Sequence, residues 1–318
     1  MTPWEVLSPG LQTTVQDHGR DRWRHLGVAR AGGLDPLALA MANRLVGNQD
    51  ELAALEITLK GPTLRLHGPA RIALTGASIE AYWNGIALPM ARPVELPPGD
   101  LKLGGMRHGA RSWLAVAGGF DVPLVMGSRS TDLRGGFGGL EGRALRAGDR
   151  LAVGAAVVPP LQAPRIAKWW IDESDTWQDF PIRLVASSHS ATTALVAQSW
   201  IASVRSDRQG LRLEGPQLPC SEGTGVSEPV AVGTVQLPPD GQPIVLLADA
   251  QTVGGYARLG YVISCDLPRL AQLRPGSKTR FAAIAAEEAH RLGREQRQQH
   301  ARTTIAIRQR LQHRDFGA

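Results

Sequence analysis

Only two cysteines, Cys220 and Cys265, occur in 318 residues, so no disulfide framework holds this chain together and a reducing, cytoplasmic setting is expected. No apolar run approaches the roughly 18 residues that a transmembrane helix needs. The start, MTPWEVLSPG, lacks a basic segment followed by an apolar one, so neither a membrane span nor a signal peptide is expected. Lysine is scarce, with Lys60, Lys102, Lys168 and Lys278 the only four, and none sits in the Met-Lys-Met context of a biotin carrier. The eight histidines are isolated and make no HxH or HExxH spacing, so no metal site is expected. No CxxC pair, GxSxG elbow, GxxxxGK[ST] loop or GxGxxG fingerprint after a strand occurs either.

What is present is the composition of a globular protein, 43% hydrophobic and 20% charged, long enough for two domains. The net charge is +6, and half of it comes from residues 287–318, where seven arginines face four acids. The rest is spread thinly and no aromatics interleave with it, so nucleic acid is not an expected partner.

Asp35, Pro36 and Gly47 punctuate a helix as N-cap, first position and C-terminal glycine, with Leu37, Met41 and Leu45 as its apolar stripe. From residue 53 to 154 short runs rich in β formers follow one another: AALEITL, TLRLHG, ARIALTG, EAYW, IALP, LKLGG, SWLAVAGG and RLAVG. Asn84-Gly85 is a two-residue hairpin signal. After a Pro-rich lapse come PIRLVAS, a short helix over 192–201, LRLEG, VAVGTVQL, IVLLA, YVISCDL, one helical turn over 267–272, TRFAAIA and a helical tail over about 285–312. The reading is a mainly β chain of two barrels with few short helices. Its expected divisions are residues 1–158, a linker 159–180, 181–286, and a C-terminal helical tail 287–318.

Three polar clusters interrupt this pattern. Gln16 to Arg20 forms a polar turn leading to Gly32-Gly33, which fits a plain glycine-rich loop as well as a site loop whose Asp17 and Arg20 orient an anion. In residues 127–139, Ser128, Arg129, Ser130 and Thr131 sit among glycines, a composition suited to an oxyanion cradle as well as to a plain surface loop. The third, QLPPDGQPIVLLADAQTVGGYARLG (236–260), joins turn chemistry, a buried strand, a carboxylate, an amide and a glycine pair. Its spacing fits a site or a hairpin with solvated polar residues, and names no reaction.

Taken together, TTVQDHGR, GGLD with NRLVGN, LEITLKGP, VAGGFDVP with LVMGSRSTD, GGLEGRALRAGD, SDRQGLRLEG and the 233–260 stretch resemble one family over about residues 6 to 290. That family is the allophanate hydrolase subunit 2 family, whose members are also described as carboxyltransferase C subunits. The resemblance implies cyclophilin-like β-barrels and pairing with a homologous B subunit, beside a lactam-utilisation A subunit. It implies an ATP-dependent 5-oxoprolinase, with ATP and Mg2+ acting at the level of the complex and biotin not attached to this chain. The chemistry is intelligible, because a lactam is a poor electrophile until its carbonyl oxygen is phosphorylated. The alternatives are a non-enzymatic regulator of the partner subunit, or a subunit of a biotin-dependent carboxyltransferase.

The resemblance marks Asp249, Gln251, Asp240 and Arg208 as catalytic candidates. Its substrate-binding candidates are Asp17, Arg20, Ser128, Arg129, Ser130, Thr131, Gln236, Gln242, Thr252, Gly254, Gly255 and Tyr256. No nucleophile or base is singled out among them, and Asp249→Ala is expected to remove activity while sparing the fold. Departures occur at Asp21, Ala31, Gln209, Ala250 and Val253, where the family usually carries Gly, Ser, Met, Arg and Thr, and they bear on substrate specificity.

Overall fold

A computed structural model describes residues 3–172, 180–219 and 226–313. Cys220, Gly225 and residues 173–179 of the expected linker lie outside the described residues. The chain divides into two compact units, one of Met1–Gly19, Ala31–Asp175 and Ala301–Ala318, the other of Arg20–Arg30 and Thr176–His300.

The first unit holds β1 (Trp4–Ser8), β2 (Gln12–Gln16), β3 (Ala54–Thr58), β4 (Thr63–Leu66), β5 (Ala70–Trp83), β6 (Ile86–Ala87), β7 (Val94–Leu96), β8 (Gly99–Val116), β9 (Arg150–Leu151) and β10 (Arg165–Ile166). They form one ten-stranded sheet in the order β10-β7-β5-β8-β4-β1-β9, with β3 added to β8, β2 to β3 and β6 to β5. ARIALTG and EAYW prove to be one strand, β5, and LKLGG and SWLAVAGG likewise merge into β8. Glycines in these runs mark register shifts near Gly76, not strand ends, so the ladder continues past them. Asn84-Gly85 turns β5 into β6 with both residues at positive φ, 44° and 85°, pairing Trp83 with Ile86. Arg165 and Ile166, read as linker, add an edge strand that pairs with Glu95 and Val94.

Helix α1 (Pro36–Val46) is capped as its sequence predicts, with Asp35 Oδ1 accepting the Ala38 N–H at 2.9 Å and Gly47 at φ 85°. Its apolar surface is wider than one stripe. Ala38, Leu39, Met41, Ala42, Leu45 and Val46 share a cluster with Ala73, Trp113 and Ala115 of the sheet and with Ile307 near the chain's end. A separate cluster around Val6, Leu55, Leu64, Ile72, Leu101 and Leu114 includes Trp4 edge-on to Phe120.

The second unit holds β11 (Ile182–Ala186), α2 (Ala191–Ala197), β12 (Ser199–Ala202), β13 (Gly210–Glu214), β14 (Glu228–Pro229), β15 (Thr234–Leu237), β16 (Ile244–Leu246), β17 (Val253–Gly254), β18 (Ala257–Val262), α3 (Leu267–Ala271) and β19 (Lys278–Ala283). Seven of these strands close a barrel in the order β11-β18-β15-β16-β13-β12-β19, sealed by the parallel pair β11–β19, while β14 and β17 form a ribbon of their own. The chain is therefore mainly β, as expected. Helix α2 stops earlier than its sequence suggests, because Trp200 turns inward on β12 and donates its indole N–H to Leu195 O. Helix α4 (Ala286–Gln312) follows. Its less exposed positions include Leu292, Gln296, His300, Thr303, Ile307 and Leu311, a helical period that is half polar and so left no apolar stripe to read. Among the described residues no helix is long and apolar enough to cross a membrane.

Candidate functional site

The stretch 236–260 places Gln236, Asp249 and Thr252 among the buried polar residues of the second unit. Arg208 lies just before β13 and Asp249 just after β16, strands that pair antiparallel, so the two side chains meet at one end of the barrel. Arg208 Nε and Nη2 each donate at 2.9 Å to the two oxygens of Asp249, and the side chains are only 4% and 3% exposed. Backbone bonds from Asp249 N to Arg208 O and from Leu247 N to Gln209 O carry the ladder beyond the strand ends. A carboxylate gripped through both oxygens is suited to fixing a guanidinium, and less to taking a proton from water.

Asp240 and Gln242 sit at the other end of β16, on the turn from β15. Asp240 Oδ1 accepts the Gln242 N–H at 3.0 Å, an Asx turn at a solvent-exposed tip. The Gln242 amide brackets Gly215, accepting from its N–H at 2.9 Å and donating to its carbonyl at 3.1 Å. Three strand residues separate this turn from the Arg208–Asp249 pair, so the structure does not gather the four catalytic candidates. Asp240 and Gln242 shape the hairpin.

Gln236, Gln251 and Gly254 do come together. Gln251 Nε2 faces Gln236 Oε1 at 3.5 Å, and a Cβ on Gly254 would lie 2.6 Å from Gln236 Nε2. Thr252 is buried and its carbonyl accepts the Val230 N–H, next to the β14–β17 ribbon. Gly255 links β17 to β18, and Tyr256 beside it is exposed. Arg258, not among the sequence candidates, is the register partner of Gln236 across β15–β18. It is ion-paired with Glu228 and donates to the Tyr261 hydroxyl at 3.2 Å. Pairing the strands on either side of the glycine pair is the signal that would have found it.

In the first unit, the hydroxyl loop is a carboxylate cradle filled from within the chain. Ser128 Oγ and Ser130 Oγ donate to Asp17 Oδ1 at 2.6 and 2.5 Å, with the Gly19 N–H at 2.8 Å, while the Arg129 N–H donates to Oδ2 at 2.5 Å. Ser130 Oγ also accepts the Asp17 N–H. Thr131 Oγ1 donates to Val15 O, and the Arg129 guanidinium is tied to Val122 O and Asp121. Ser128, Ser130 and the Arg129 N–H do not fit a phosphate while they hold Asp17. Arg20 belongs to the second unit, where it is buried and its N–H donates to Arg30 O. Among the described residues, no group of three or more His, Cys, Asp or Glu side chains is assembled to hold a metal ion.

With this geometry in hand, comparison with known proteins is specific. Residues 26–283 match the carboxyltransferase domain family, subdomains A and B. The C subunit of 5-oxoprolinase from Escherichia coli is 40% identical over 298 residues, covering 90% of this chain and 92% of that protein. The same subunit of Haemophilus influenzae is 34% identical, covering 91% and 94%. The crystal structure of the Kluyveromyces lactis urea carboxylase superposes with a TM-score of 0.83 at 29% identity, covering 93% of this chain. This chain spans only 28% of that much longer one.

Proposed function

This chain belongs to the carboxyltransferase domain family of subdomains A and B, and from that footing we propose that it is the C subunit of an ATP-dependent 5-oxoprolinase. In that role it acts in the cytoplasm with a homologous B subunit, together with a lactam-utilisation A subunit, hydrolysing 5-oxo-L-proline to L-glutamate. The observation that carries this reading is the end-to-end match with separate subunits bearing that name, at 92% and 94% of their lengths. The yeast urea amidolyases, by contrast, are matched over only 17% of theirs.

Within such a complex ATP, with Mg2+, supplies the activation that a lactam carbonyl needs. The second barrel offers what a small amide requires of its binding wall, namely uncharged amide donors and a side-chain-free glycine. The Arg208–Asp249 pair anchors the end of β16, from which the segment carrying Gln251, Thr252 and Gly254 departs. Phosphate binding is left to the partner subunits, since Ser128, Ser130 and Thr131 are engaged within the chain.

Reconstitution tests the reading. Glutamate release and 5-oxoproline-stimulated ATP hydrolysis are expected from the three subunits together, and from no mixture lacking this chain. The likeness to urea carboxylase favours one alternative, carboxyl transfer from a biotinylated chain to urea or a similar amide. Avidin-sensitive turnover of urea, with none of 5-oxo-L-proline, would establish it instead. A stable complex with the B subunit that turns over nothing would mark the chain as a regulator.

A further inference from the structure

Gln236 is 1% exposed, yet its Nε2 has no hydrogen-bond acceptor among the described residues. A buried amide donor left in that condition forfeits its hydration without a compensating bond, so a chain that keeps one has a use for it. The backbone sets the aim of this side chain. Between Val235 and Gln236 the ladder slips, Val235 pairing with Gly260 and Gln236 with Arg258, which leaves Leu259 as the extra residue of a β-bulge. The Nε2 atom then points at Gly254. That glycine does not have the left-handed φ that would demand glycine, so clearance for the amide, not backbone conformation, is what the missing side chain provides.

The charge around the donor identifies its ligand. Arg258, across the ladder, is committed to Glu228 and to the Tyr261 hydroxyl. A carboxylate buried against Nε2 would find no uncommitted cation in Arg258, whereas a neutral carbonyl oxygen needs only the one hydrogen bond. The geometry points to Gln236 as the donor that recognises the neutral carbonyl oxygen of a small amide, with Gly254 as the side-chain-free wall beside it. This assignment rests on the proposed function only for the choice of lactam; the donor chemistry is independent of it.

The test uses the full-length chain in its complex and ligand-observed NMR with three probes: 5-oxo-L-proline, 2-pyrrolidone, which lacks the carboxylate, and cyclopentanecarboxylate, which lacks the lactam. Gln236→Glu and Gly254→Ala should each weaken both lactams about tenfold or more and leave any binding of cyclopentanecarboxylate unchanged. The glycine substitution is the safeguard if the first variant fails to fold. Lactam affinities untouched by Gly254→Ala, a Gln236-dependent response of the carboxylate probe, or no lactam binding by the wild-type complex would each overturn the assignment. If Gln236→Glu leaves the KM for 5-oxo-L-proline unchanged in a complex that turns it over, the donor role falls and the 5-oxoprolinase reading stands. If 2-pyrrolidone binds through Gln236 but 5-oxo-L-proline is never hydrolysed, the reverse holds.

Discussion

Removing the Asp249 carboxylate takes away the anion that grips a 4% exposed guanidinium through Nε and Nη2. Asp249→Ala should therefore lower unfolding stability by about 3–5 kcal/mol, read from chemical denaturation. A loss below about 1 kcal/mol would place the pair in the surface class. This replaces the expectation that the substitution spares the fold, which equated a loop position with exposure. Asp149 gives a pH signature. The Arg143 guanidinium bonds both its oxygens at 2.8 and 2.9 Å, the Arg146 N–H adds a third bond at 2.7 Å, and the carboxyl is held below its ordinary 3.8. A depressed carboxylate stabilises the fold above its unfolded value and loses that contribution as pH falls through the folded one. Asp149→Asn should be about 2 kcal/mol less stable at neutral pH, and the gap from wild type should close below pH 3.8. Local devices such as Asp35, Gly47 and Asn84-Gly85 were legible because cap and turn chemistry acts over a few neighbours. The destination of Ser128 and Ser130 was not, because Asp17 lies 111 and 113 residues away and only the folded sheet brings it into their reach.

Among elements, the strands rich in Val, Ile and Leu could be read from pattern, and the helices from their punctuation. β1 and β2 were missed: WEVLS is a single short run, and QTTVQ has only Val15 as an apolar residue although it is buried along most of its length. Thr13 Oγ1 donates to Pro9 O, and Gln16 Nε2 donates to Thr14 Oγ1 and to Thr131 O of the hydroxyl loop, a pairing that hydrophobic alternation does not encode. Helix α4 taught the same lesson, since its docked positions are partly glutamine, histidine and threonine. Ile307 is the exception, buried against α1. Ile307→Ala should destabilise the first unit by about 2–5 kcal/mol, visible as a lowered denaturation midpoint. Exposed Ile305 two residues earlier, changed the same way, should shift it little.

For the whole molecule, the two units do not follow chain order: residues 20–30 belong with the second, and residues 301–318 return to the first. A chain ending at residue 172 would lack Ile307 and Leu311, both packed on the α1 cluster, and would expose that apolar face to water. Such a fragment should be destabilised by several kcal/mol or aggregate. Adding a peptide of residues 286–313 should restore a cooperative unfolding transition. A fragment as stable as the intact chain would show that the tail contributes nothing to the first unit.

The return of the tail also imposes a timetable. During synthesis at about 5–20 residues per second, the strands of the first unit emerge before most of the second unit, but Ile307 and Leu311, which complete its helical face, are made only after it. An apolar patch on α1 therefore stays uncovered until the second unit has been made, long after most of the sheet is available to pair. Cells that depend on this protein should see it held by chaperones while the second unit is made, and nonsense mutations just upstream of the Ile307 codon should be as damaging as those early in the first unit.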